Sequence, residues 1–259
     1  MSDETLFENR DGVAWLTFNR PEARNAMTFA MYDRLAEVCD QVNDDSSVRV
    51  MILKGAGGKA FVAGTDISQF RAFTEERHAR EYEERMDHVL QRLESVKVPV
   101  IAAIQGPATG GGASIAAACD MRIGSRSARF GIPIARTLGN CLSMANYSRL
   151  VALLGPALLK DMIFTARLIE APEALAIGLL NEVTADEDSL LPRVTEIVQT
   201  IASNAPLTLR ATKEAIRRIQ RRMTPEDGSD LVLMCYMSRD FKEGVEAFLA
   251  KRKPEWKAQ

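Results

Sequence analysis

The chain is short of the residues that build metal and disulfide frameworks, with four cysteines and two histidines in 259 residues. Cys39, Cys119, Cys141 and Cys235 are widely spaced and form no CxxC pair, which excludes a paired-cysteine motif and predicts reduced thiols in a cytoplasmic protein. No metal site is expected. Positive charge is not in excess either: 33 Lys plus Arg stand against 35 Asp plus Glu, a net −2. Neither nucleic acid nor an anionic membrane surface is therefore an expected partner. No apolar run approaches the length of a membrane span. The opening MSDETLFENRDG is too acidic and polar for a signal or transit peptide. Internal repeats and low-complexity stretches are missing as well.

What remains is an ordinary globular composition, 46% hydrophobic and 26% charged. The length suits one large domain, or a main domain with a smaller terminal one, and buries a substantial core without disulfides or metals. Residues 12–19 (GVAWLTFN) have strand composition and end at a turn, Asn19-Arg20-Pro21. Phe29, Met31, Leu35, Val38 and Val42 recur at three- and four-residue spacing and predict a helix over 28–43, with Thr28 as its N-cap. Residues 48–54 and 98–104 are short apolar runs of the kind found in buried parallel strands. Between them, 75–96 reads as a charged helix. After residue 140 the chain becomes a string of predicted helices: 144–154, 156–164, 171–178, 188–203, 206–222 and 229–252. The expected class is α/β with a C-terminal helical subdomain.

Residues 104–120, IQGPATGGGASIAAACD, set three glycines between a predicted strand and a small apolar helix. Glycine is costly in regular structure, so three in a row need a use. A phosphate loop would need Lys and Ser or Thr after the last glycine, but Ala113, Ser114 and Ile115 follow. The dinucleotide spacing G-x-G-x-x-G is missing too. The remaining uses are an oxyanion hole, in which a backbone N–H faces a developing negative oxygen, or a close helix–strand crossing with no ligand. A second glycine turn, KAFVAGTDIS at 59–68, also follows a strand. Adjacent parallel strands would carry both turns to one carboxyl edge, where open α/β sheets bind ligands.

With NRPEARNAM at 19–27, EALAIGLLNEV at 173–183 and RDFKEGVEAFLAKRKPEW at 239–256, these two turns make five ordered motifs. Through them the chain resembles the crotonase superfamily, or enoyl-CoA hydratase/isomerase family, over nearly its whole length. The resemblance implies a crotonase-like spiral of ββα turns over 1–200 and a helical trimerisation region over 201–259, giving a homotrimer or a dimer of trimers. It implies acyl-CoA thioesters as substrates, with coenzyme A as part of the substrate and no other cofactor. The oxyanion donors map onto the N–H groups of Thr65 and Gly111, with Gly110 beside them. Arg24 maps to a position that often contacts CoA phosphates, with a solvated surface arginine as the alternative. Ala63, Asp66, Ile67 and Ser68 lie where relatives hold adenine and pantetheine.

Hydratases of that family use two glutamates, and here Ser114 and Ile134 stand at their positions. Water addition needs one group to take a proton from water and another to deliver one to carbon, so two-glutamate hydration is disfavoured. The 135–143 loop should border the acyl pocket with Arg136, Thr137, Asn140, Cys141 and Ser143 as its polar residues. Arg136 could hold a substrate carboxylate or pair with a surface acid, and Asn140 is a candidate catalytic group. Cys141, without a neighbouring histidine, reads as a buried thiol. His78 and His88 read as solvated, and Asp66 and Asp120 as turn or cap groups. The basic run over 210–222 partly complements a helix C-terminus. Three readings stay open: an enolate-stabilising enzyme such as a carboxyacyl-CoA (methylmalonyl-CoA-like) decarboxylase, a hydratase or isomerase with a replacement acid–base group, and an acyl-CoA-binding protein without catalysis.

Overall fold

A computed structural model describes residues 4–222 and 228–258. The chain enters through a hairpin, β1 (Thr5–Arg10) against β2 (Val13–Phe18). Helix α1 (Phe29–Asp44) follows, and the Thr28 side chain caps it by accepting from the Met31 N–H. The six-stranded sheet is completed in parallel by β3 (Val50–Gly55), β4 (Val100–Ile104), β6 (Met121–Ser125) and β9 (Glu182–Thr184), in the order β1-β2-β3-β4-β6-β9. The predicted strands over 12–19, 48–54 and 98–104 are its β2, β3 and β4.

Alternation along these strands divides two cores. Leu16, Phe18, Met51, Leu53, Val100 and Ala102 point to the side covered by α1 and by α2 (Glu76–Glu94). Val50, Ile52, Ile101, Ala103 and Ile123 point the other way, onto Leu190, Val194 and Val198 of α7 (Leu190–Ser203). Strands β3 and β4 are apolar on both faces for this reason.

The glycine turn does not join β4 directly to a helix. A short strand β5 (Pro107–Thr109) intervenes and forms a second, three-stranded sheet with β7 (Arg129–Gly131) and β8 (Ile169–Glu170). The helix α3 then runs over Gly111–Ala118, so it takes in two of the three glycines. Further on come α4 (Ile134–Thr137), α5 (Met144–Thr165), α6 (Ala171–Ala176) and α8 (Pro206–Arg221). The two predicted helices over 144–154 and 156–164 lie end to end in α5, broken at Gly155, whose φ of 73° is not helical, with Pro156 next to it. The single helix expected over 229–252 is two, α9 (Ser229–Tyr236) and α10 (Arg239–Leu249). Ser238 divides them, because its side chain accepts from the Phe241 N–H and starts a new helix. Both fold back over the α2 side of the molecule. Val232, Tyr236, Phe241 and Val245 pack there with Ile67, Phe70 and Leu138.

Candidate active site

The two glycine turns touch. Met27 N–H donates to the Gly64 carbonyl (2.8 Å) and Asp66 N–H donates to the Met27 carbonyl (2.8 Å), which turns the intervening Thr65 N–H the other way. Thr109 N–H donates to the Val62 carbonyl (3.0 Å), stitching the second turn to the first. Gly64 (φ 101°) and Gly110 (φ 53°) sit in backbone conformations that a side chain would strain. Among the described residues, no hydrogen bond claims the N–H of Thr65 or of Gly111. Both residues line one cavity of about 170 Å³.

Behind this pair lie two phenols. Tyr32 Oη and Tyr82 Oη lie 2.9 and 3.1 Å from Thr65 Oγ1, within hydrogen-bonding distance. Burial pushes both phenols above their ordinary pKa and keeps them protonated. The Thr65 side chain is thereby fixed, and with it the turn that carries the N–H.

One turn further along α3, the Ser114 hydroxyl accepts from Asn146 Nδ2 (2.9 Å) and donates to the Gly110 carbonyl (3.4 Å). It is engaged in both directions and offers no free proton acceptor of useful basicity. Asn146 also lines the cavity, and the sequence reading did not single it out. Ile134 closes one side with an apolar surface. Asn140 lines the cavity too. Its Nδ2 donates to Tyr236 Oη (3.1 Å), while its Oδ1 is buried without a hydrogen-bond partner among the described residues.

The group that sequence reasoning missed is Glu83, on the buried stripe of α2. It lines the same cavity. Tyr236 Oη donates to Oε1 (2.6 Å) and the Ser143 N–H donates to Oε2 (3.0 Å). Burial pushes its pKa up to about 7; the Tyr236 hydrogen bond pulls it down, and nearby Asp87 raises it again. Among the described residues no salt bridge reaches Glu83.

Of the residues singled out from sequence, the cavity brings together Ala63, Thr65, Ile67, Gly110, Gly111, Ser114, Ile134, Thr137 and Asn140. Arg24, Asp66, Ser68 and Arg136 are not in its wall. Arg24 is exposed, and its carbonyl accepts from the Ala63 N–H (3.1 Å), which ties it to the first turn. Asp66 is a turn group: despite partial burial, hydrogen bonds from Ser68 and Arg20 hold its carboxyl below the usual range. Arg136 points outward from α4. Cys141 is buried, donates to the Leu231 carbonyl, and is pushed up by contact with the Cys235 thiol and by burial. His78 accepts from the backbone N–H groups of Thr74 and Glu75, while His88 is exposed. Asp120 accepts from the Val100 N–H and pairs with Lys213.

A larger groove of about 400 Å³ runs between α3, α5 and α8. Its Lys213 and Arg217 are already paired with Asp120 and Glu214. No helix of the described residues is long and apolar enough to cross a membrane.

Comparison with known proteins points the same way. Residues 8–259 match the sequence profile of the enoyl-CoA hydratase/isomerase family. The chain is 38% identical to a crotonyl-CoA hydratase from Syntrophomonas wolfei, over 97% of this chain and 96% of that protein. Among solved structures it resembles an enoyl-CoA hydratase/carnithine racemase from Magnetospirillum magneticum, with TM-score 0.81 and 34% identity, covering 100% of this chain and 97% of the other. It also resembles a methylmalonyl-CoA decarboxylase in complex with 2-nitronate-propionyl-CoA, with TM-score 0.89 and 25% identity, covering 99% of each chain.

Proposed function

Because the chain belongs to the enoyl-CoA hydratase/isomerase family, we propose that it is an acyl-CoA-thioester enzyme whose Thr65 and Gly111 N–H groups stabilise a thioester enolate. The observation that carries this reading is the pair of unclaimed backbone donors on two touching turns, borne by two residues that line one cavity. A thioester carbonyl gains negative charge when a bond at its α-carbon breaks, and fixed N–H dipoles in an apolar site stabilise that charge without reorganising. The cavity, about 170 Å³, is smaller than pockets for drug-sized ligands at about 300–1,000 Å³, so it fits a short acyl group and not the whole coenzyme. In this reading coenzyme A enters as part of the substrate, with the 63–68 turn beside adenine and pantetheine and Arg24 at the phosphates. Two-glutamate hydration is not part of it, since Ser114 and Ile134 stand at the two positions.

A second reading, decarboxylation of a carboxyacyl-CoA, is favoured by the likeness to the methylmalonyl-CoA decarboxylase structure. Loss of carbon dioxide yields the enolate directly and asks only for the oxyanion hole. Against it, Arg136 lies outside the cavity wall. The same proposal includes self-association as a trimer or a dimer of trimers, for which the exposed Ile216 and Ile219 of α8 offer an apolar face.

The test exploits the fact that backbone donors recognise one atom. Butyryl-CoA and its thioether S-butyl-CoA differ by the carbonyl oxygen alone. Two hydrogen bonds at about 0.5–1.5 kcal/mol each predict that calorimetry finds the thioester bound about 5- to 150-fold tighter. Equal affinities would remove the oxyanion assignment. Binding without turnover on any carboxyacyl- or enoyl-CoA would leave a non-catalytic binding protein.

A further inference from the structure

We propose that Glu83 is the proton-transfer group of this site: it takes a proton from the α-carbon of a bound 3-enoyl-CoA and returns it to the γ-carbon. The inference rests on the acyl-CoA reading above and names the reacting group and substrate class within it. Atoms balance inside the substrate. The α C–H bond breaks, its electron pair forms the new double bond to the β-carbon, the old β–γ double bond takes up the proton, and the carboxylate is regenerated.

The geometry gives three reasons. Glu83 lines the same cavity as the Thr65 and Gly111 donors, so a thioester held there presents its acyl carbons to the carboxylate. Each carboxylate oxygen accepts one hydrogen bond, Oε1 from Tyr236 and Oε2 from the Ser143 N–H, which fixes the plane and leaves a further lone pair on each. Its other neighbours in the cavity include Ile67, Phe70, Met86 and Leu142, an apolar lining that favours returning the proton to substrate over losing it to water.

The charge environment agrees. Facing Glu83 are Tyr82 and Asp87 on its own helix, Tyr32 on α1, Tyr236 on α9, Cys141 and the Ser143 N–H on the connecting segment, and Tyr147 on α5. None of these is a cation. Arg149, the nearby cation, forms its ion pair with Glu94. With no counter-charge a buried carboxyl stays protonated up to near neutral pH, where a general base works best. A single carboxylate suffices for a 1,3-shift, whereas water addition asks for two groups.

The experiment uses the intact protein with two probes. In D2O, butyryl-CoA reports α-proton abstraction by its mass, and 3-hexenoyl-CoA reports double-bond migration. Wild type should deuterate the first and isomerise the second. Glu83→Gln should lower both rates by about 10²-fold or more while butyryl-CoA affinity stays within about threefold. Since Gln cannot accept both present hydrogen bonds, Glu83→Asp and the wild-type pH profile serve as independent readouts: Asp should retain part of the rate, and the wild-type rate should rise through a limb near pH 7. Unchanged rates in Glu83→Gln, or wild type that binds butyryl-CoA but neither exchanges nor isomerises, would refute the role of Glu83. Failure of wild type to bind butyryl-CoA would instead overturn the acyl-CoA reading itself.

Discussion

The Tyr32 hydroxyl fills the space that any side chain at Gly111 would have to enter. A Cβ built on Gly111 collides with that oxygen and comes within 3.1 Å of Thr65 Oγ1, but stays 3.4 Å from the Tyr32 ring carbon that bears the hydroxyl. Gly111→Ala should therefore cost about 1–3 kcal/mol of stability by overpacking and displace the Gly111 N–H proposed as an oxyanion donor. Tyr32→Phe removes only the colliding oxygen, at about 1 kcal/mol for the lost hydrogen bond to Thr65. In the double variant much of the Gly111→Ala loss should return. Urea denaturation of the four proteins in a cycle measures this coupling, expected at about 0.5–3 kcal/mol. Additive losses would mean that the glycine is required for its backbone alone.

Stability should fall with rising pH because of Glu83. Its carboxyl is raised from 4.5 to about 7 in the folded protein, so the folded state holds this proton more tightly than the unfolded state. The contribution is full below about pH 4.5 and is lost as pH climbs through about 7, for a total of at most about 3 kcal/mol. Glu83→Gln has no such titration. Its stability difference between about pH 5 and pH 8 should be smaller than that of wild type, as judged by denaturation midpoints. A parallel pH dependence in both proteins would place the ionisation elsewhere.

The pH limb of activity should move in opposite directions in two neighbours. Tyr236→Phe deletes the hydrogen bond that favours the ionised carboxylate, so the limb should shift upward, by about one pH unit for a charged hydrogen bond. Asp87→Asn removes a like charge and should shift it downward. The readout is kcat against pH on 3-hexenoyl-CoA. A merely structural Tyr236 would lower activity at every pH without moving the limb.

How far the sequence reached depended on what each residue advertises. The centres of the runs 48–54 and 98–104, residues 50–53 and 100–104, are apolar on both faces, as a buried parallel strand requires. Strand β1 escaped because TLFENR lies at a sheet edge and is largely exposed, so no apolar alternation marks it. The break at Ser238 was hidden by helix-forming residues on both sides. The two glycine turns were legible because clustered glycines mark a special backbone, and Gly64 and Gly110 do sit at positive φ. Glu83 was obscured by a helix crowded with charge. Counting from Ala79 and Met86 places it four residues after one buried position and three before the other, on the apolar stripe. A carboxylate at that phase was the available signal. Its partners, Tyr236 and Ser143, come from distant segments that only the fold brings near.

Crotonyl-CoA hydration should be slow. Adding water across the α–β double bond needs a base at the water and an acid at the α-carbon. Ser114 is engaged by Asn146 and the Gly110 carbonyl, Ile134 has no proton to exchange, and Glu83 is a single carboxylate. Ser114→Ala should therefore change the isomerisation rate little, as should Arg136→Ala, whose side chain lies outside the cavity wall. Loss of enoyl-thioester absorbance with purified protein follows hydration directly. A turnover near the enzyme median of about 10 per second would contradict the single-carboxylate argument. If that turnover vanished in Glu83→Gln and persisted in Ser114→Ala, Glu83 would be the base of a hydratase, and the proton delivered to the α-carbon would have to come from the same carboxyl after it had taken one from water.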